Sequence, residues 1–123
     1  MFTEMVKNTH QINEVIRNVV EALKARRVRI DKLILYGSYA YGQPGPDSDI
    51  DLALVSRSFN RKSVLKRQEI LGEAIFGLRE PVEMIGYSRI EYERSPKYTL
   101  LDVIVSKGRV VYEEQGLGLV GLA

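Results

Sequence analysis

A chain of 123 residues has room for one core, burying roughly two-thirds of its unfolded surface, and not for two, which excludes a large multidomain enzyme. Its 18 Lys and Arg against 16 Asp and Glu leave a formal charge of +2, too small for a general nucleic-acid binder, and the absence of cysteine excludes disulfides and thiolate metal sites. No apolar stretch is long enough to cross a membrane and the amphipathic start has no signal-peptide pattern, so the expectation is a single cytoplasmic domain over 1–123, with 114–123 (ending GLGLVGLA) as a loose or partner-docked tail.

In chain order, Ile12, Val15, Ile16, Val19, Val20 and Leu23 recur at three- and four-residue spacing. They predict a helix ending near Arg27, capped by Thr3 or Asn8. Lys32 to Tyr36 reads as a strand that stops at Gly37, Ser38 as the cap of a helical turn through Tyr41, and Asp49 to Val55 as a second strand. From Ser63 to Leu78, the set Val64, Leu65, Leu71, Ala74, Ile75 and Leu78 predicts a second amphipathic helix. Pro81 precedes a third strand, Val82 to Tyr87. After an ambiguous stretch, Ser95 and Pro96 have the chemistry of a helix start, Leu100, Leu101, Ile104 and Val105 form its core face, and Gly108 ends it before a last strand, Arg109 to Glu113. The basic run Arg57, Arg61, Lys62, Lys66 and Arg67 reads as a solvated helix face, or as a surface that meets phosphate or an acidic partner. His10 and most tyrosines read as surface or packing residues.

The informative stretch is LILYGSYAYGQPGPDSDIDLALVS, residues 33–56. Strand side chains alternate, so Asp49 and Asp51 project from one face. At about 4 Å apart two carboxylates repel by roughly 4 kcal/mol at an effective dielectric of 20, and the simplest compensation is a divalent cation. An all-oxygen ligand set points to magnesium or manganese rather than zinc. The Gly37–Ser38 turn presents free backbone N–H groups at a helix start, a seat for an anion that the Ser38 hydroxyl can also contact. Together the two halves describe a metal-bound polyphosphate, with a nucleoside triphosphate as the obvious candidate. A P-loop fails because Gln43 and Pro44 stand where Lys and Ser or Thr are required, and an EF-hand fails because Leu52 and Ser58 replace its Gly and Glu. The bland alternative makes the two acids the solvent face of an edge strand.

An apolar strand, Gly-Ser, ten residues and Asp-x-Asp in a second apolar strand resembles the signature of the DNA polymerase β superfamily of nucleotidyltransferases. PDSDIDLALV, the short length and the closing helix followed by GRVVYE resemble its minimal nucleotidyltransferase (MNT) family, often an antitoxin beside a HEPN-domain toxin. The resemblance covers residues 12–113. It implies an α/β fold, a small mixed sheet carrying the acids with helices packed mainly on the opposite face, as in the polymerase β palm. It implies a third carboxylate, which Glu83 fits, and cations held by Asp49, Asp51 and Glu83 that grip ATP, with Gly37 and Ser38 binding its phosphates and AMP passing to a tyrosine hydroxyl of the toxin. Where relatives often carry a basic residue this chain has Tyr41, and Arg57 or Lys62 are the substitutes considered. A non-catalytic masking antitoxin, or transfer to a small molecule or an RNA end, are the alternatives.

Overall fold

The computed structural model describes residues 6–114 together with the backbone of 116 and 117. Thr3 and the tail beyond Leu117 lie outside the described residues. The elements run α1 (Thr9–Ala25), β1 (Lys32–Tyr36), α2 (Ser38–Tyr41), β2 (Ile50–Ser56), a 3₁₀ turn (Arg57–Phe59), α3 (Val64–Ile75), β3 (Val82–Ser88), α4 (Arg89–Arg94), α5 (Leu100–Lys107), β4 (Arg109–Glu113) and β5 (Gly116–Leu117). The strands form one mixed sheet in the order β3-β2-β1-β4-β5. Among the described strands only β2 and β3 run parallel, and α3 makes the crossover that a parallel pair requires. β5, in the stretch expected to be loose, pairs with Tyr112 and Glu113 of β4.

One sheet face packs on α1 and α3, where Ile16, Val19 and Leu23 meet Leu33, Leu35, Leu52, Leu54 and Phe59 in the main core. Asn8 starts α1 with a reciprocal cap, its side chain accepting from Gln11 N and its own N–H donating to Gln11 Oε1, each at 2.9 Å. The opposite face holds a smaller cluster of Ile34, Ala53, Val55 and Ile104, flanked by Tyr36, Ile85, Tyr87 and Tyr92. Helices therefore lie mainly on one face, as expected for this α/β fold, with the short α4 and α5 on the other.

Three local expectations are corrected. Ser95 and Pro96 do not start α5: Ser95 closes α4 in a left-handed conformation and Thr99 is the cap, its Oγ1 accepting from Asp102 N at 3.2 Å. α5 buries Leu101 and Ile104 but leaves Leu100 and Val105 exposed, and Val64 and Leu65 at the start of α3 are exposed as well. The basic run is not one solvated face. Arg67 is buried and bonds Lys62 O, Gly86 O and Glu91 Oε1, while Arg57 N and Nε donate to the two Asp31 oxygens at 2.6 and 3.0 Å.

Candidate active site

The sheet register builds the site. Parallel pairing of β2 with β3 sets Glu83 beside Asp51, and antiparallel pairing of β1 with β2 sets Tyr36 beside Asp51 on its other flank. Register partners on neighbouring strands share a face, about 4.8 Å apart, so Glu83, Asp51 and Tyr36 form one row next to Ile85, Ala53 and Ile34 of the smaller cluster. Asp49 stands just before β2, two residues from Asp51, and is exposed. The Asp-x-Asp pair and the separately predicted Glu83 thus come to one end of the sheet.

Gly37 closes the row from below. It has φ 75° and ψ −156°, a conformation essentially confined to glycine, and a Cβ there would overlap Asp51 Oδ2. The glycine is required twice, by its backbone and by the carboxylate that lies against it. Gly37, not Ser38, is the cap of α2, and its carbonyl accepts from Ala40 N and Tyr41 N. Ser38 is the first helical residue, and its hydroxyl has no partner among the described residues. α2 is a single turn, so little dipole accumulates along it, and attraction for an anion comes from its first amides rather than from a macrodipole.

The electrostatics of the row are one-sided. Burial, then Glu83, then Asp49 push the Asp51 carboxyl above the usual range, and none of the three acids has a hydrogen bond or ion pair among the described residues. Burial and then the charges of Asp51 and Glu83 push Tyr36 up to about 12, so its phenol remains a neutral hydrogen-bond donor. A partly desolvated Asp51 flanked by two exposed acids fits a divalent ion with all-oxygen ligands such as magnesium or manganese. Among the described residues no group of three or more Asp, Glu or His forms a ready-made metal cage.

Arg57 and Lys62 do not serve this end of the sheet. Arg57 follows the opposite end of β2, six residues and about 20 Å from Asp51, where it is held by Asp31 and Glu114, and Lys62 lies beyond it. Lys107 ends α5 on the acid face, whereas Arg109 leaves the sheet on the opposite face, the one that Leu35 shares with the main core. Arg109 is in register with Leu35, next to Tyr36, and neither cation has an ion pair among the described residues.

The family model for the nucleotidyltransferase domain matches residues 16–111. The chain belongs to that family. This nucleotidyltransferase is 49% identical over 43 residues to a Methanocaldococcus jannaschii protein that bears the name of a protein adenylyltransferase, a match spanning 34% of this chain and 43% of that relative. Its fold is that of a Sulfolobus solfataricus protein described as a nucleotidyltransferase, with TM-score 0.67, 18% identity and coverage of 93% and 90% of the two chains. A toxin-antitoxin structure with AMP-PNP is similar at TM-score 0.54 and 20% identity, covering 80% of this chain and 73% of that one. Among the described residues no helix of the nucleotidyltransferase is long and apolar enough to cross a membrane. Two features of the site were missed from the sequence. The place of Tyr36 in the acid row was accessible from strand alternation in β1, whereas Lys107 comes to that end of the sheet only through the packing of α5, where Gly108 lies close to the Leu35 carbonyl.

Proposed function

We propose that this nucleotidyltransferase moves AMP from ATP to a hydroxyl of a partner protein, a tyrosine of a HEPN-type toxin, and so acts as an antitoxin. The observation that carries the reading is the row of Glu83 and Asp51, with Asp49 beside it, pressed against the Gly37–Ser38 turn without a balancing cation. The partner half of the reading is supported by relatives, one named for adenylyl transfer to proteins and one from a toxin-antitoxin structure.

Asp49, Asp51 and Glu83 would hold a divalent cation, which would supply neutralisation of the triphosphate charge and polarisation of the α-phosphorus. The amides of the Gly37–Ser38 turn and the Ser38 hydroxyl orient the phosphates, and Lys107, at the end of α5 on the acid face, supplies positive charge. The acceptor oxygen forms a bond to the α-phosphorus as the bond to the bridging oxygen breaks, and pyrophosphate leaves with that electron pair. Glu83, the outermost acid of the row, takes the hydroxyl proton.

The test is transfer of label from ATP marked at the α-phosphate, with magnesium, into lysate of the source organism, comparing the natural chain with an Asp49→Asn, Asp51→Asn double variant. Label on a protein band only with the natural chain supports the reading. Equal labelling by the variant refutes the role of the acids, and label confined to RNA or small molecules refutes the protein acceptor.

A further inference from the structure

On the sheet face that carries the acids, α5 buries Leu101 and Ile104 and turns its remaining apolar side chains to water. Leu100 is 47% exposed, Val103 38% and Val105 41%, and Val110 at the start of β4 adds another 41%. Tyr98, in the turn leading into α5, is 97% exposed on a left-handed backbone with φ 65°. A ring wholly in water on a conformation costly to any residue but glycine contributes nothing to this fold that would explain it. The charges along this segment are lopsided too. Residues 94–110 carry Arg94, Lys97, Lys107 and Arg109, none of them ion-paired among the described residues, against one acid, Asp102, whose Oδ2 accepts from Tyr98 N at 3.0 Å.

We propose that α5 with Tyr98 is the docking surface for the acceptor protein, and that the acceptor meets it with an apolar surface bordered by acidic side chains. The inference rests on the reading above that the acceptor is a protein, and adds where and by what chemistry it binds. Aliphatic side chains around an exposed tyrosine suit the desolvated centre of a protein interface, and the cationic rim selects an acidic border. A nucleic acid would use the cations and leave the aliphatic groups idle. Position agrees with chemistry: α5 ends at Gly108, where a Cβ would lie 3.1 Å from the Leu35 carbonyl, so a partner laid along α5 arrives at its end beside Tyr36 and the acid row.

Two variants test this. Tyr98→Gly removes the ring and relaxes the backbone, whereas Val105→Asp charges the patch and leaves the backbone alone. Each is assayed for label transfer from α-labelled ATP to the protein acceptor, for affinity toward a fluorescent ATP analogue with magnesium, and for thermal midpoint. The expected result is natural affinity for the analogue, a midpoint for Tyr98→Gly equal to or above the natural one, and acceptor labelling at least tenfold slower in both. A third variant, Lys97→Glu, is expected to slow labelling most at low salt. Unchanged labelling in all three overturns the docking surface and leaves the protein acceptor standing. No protein labelled by the natural chain overturns the acceptor reading and the docking surface with it. Label that moves to RNA and is lost in the variants assigns the face to nucleic acid, and a natural dimer split by Tyr98→Gly assigns it to a second copy of the chain; either overturns the proposal.

Discussion

Replacing Asp51 by Asn removes the central charge of the acid row and keeps the shape that fits against Gly37. At about 5 Å, Asp51 and Glu83 repel by about 3 kcal/mol at an effective dielectric of 20 and by about 0.8 kcal/mol in water. Glu83 is exposed, which places the figure toward the lower bound. Asp51→Asn is therefore expected to stabilise the metal-free protein by about 1 kcal/mol and to raise the thermal midpoint by about 4 °C, while abolishing nucleotide transfer. The pH dependence has a definite sign. The folded state holds the Asp51 proton more tightly than the unfolded chain does, so the ionised carboxylate destabilises the fold above that titration. The advantage of Asn should thus be full at neutral pH and vanish below about pH 4, where Asp is neutral in both states. Magnesium should stabilise the natural protein and leave the variant nearly unmoved. Calorimetric scans of both proteins from pH 3.5 to 7.5, with and without magnesium, make the measurement. A variant less stable than the natural protein at neutral pH without metal would refute the idea that these acids stand uncompensated.

Arg67→Met is expected to cost about 2 kcal/mol in chemical denaturation, because it strands the buried Gly86 carbonyl and separates Arg67 Nη1 from Glu91 Oε1, now 2.6 Å apart. At Glu91 burial pushes the carboxyl up, but the Arg67 guanidinium and the Ser88 amide outweigh it and hold it below the usual range. That contribution is present above about pH 4.3 and lost as pH falls through the lowered value, so the gap between Arg67→Met and the natural protein should narrow in acid. Gly37→Ala meets both a glycine-only backbone and the Asp51 carboxylate, and is expected to lose about 2 kcal/mol or more together with binding of the ATP analogue, read by thermal midpoint and fluorescence titration.

The motif end of the molecule was legible because its signals are local. Gly37 marks a backbone that only glycine adopts, strand alternation places Asp51 and Glu83, and apolar runs of the right length mark β1 to β3. The stretch after β3 was not read as a helix, although Ser88 and Glu91 spell a reciprocal cap, because six residues are too few to show a period. Ser95 and Pro96 misled for a related reason: a residue suited to starting α5 was used to end α4. The faces of α3 and α5 were misjudged because an apolar side chain names what it can bury and not whether anything covers it, so Leu65 and Val105 look like core in sequence and meet water in the fold. Arg57 and Arg67 are the converse case. Cations that spell a phosphate-binding run along the chain are drawn inward by Asp31 and Glu91, partners that lie 26 and 24 residues away.

The clasp at the far end of β2 has a consequence of its own. Asp31, Arg57 and Glu114, joined by Arg29, Arg89 and its other partner Glu93, tie the chain before β1, the exit of β2, α4 and the chain after β4 into one balanced knot. Seven residues of one strand therefore join a neutralised terminus to a bare one. In a library selected first for expression and then for activity, substitutions that remove charge should be depleted at the Asp31 end in the first round and at the Asp51 end only in the second. Evolutionary tolerance would then be polarised along a single strand: the knot records the history of selection for folding, and the opposite tip that for chemistry.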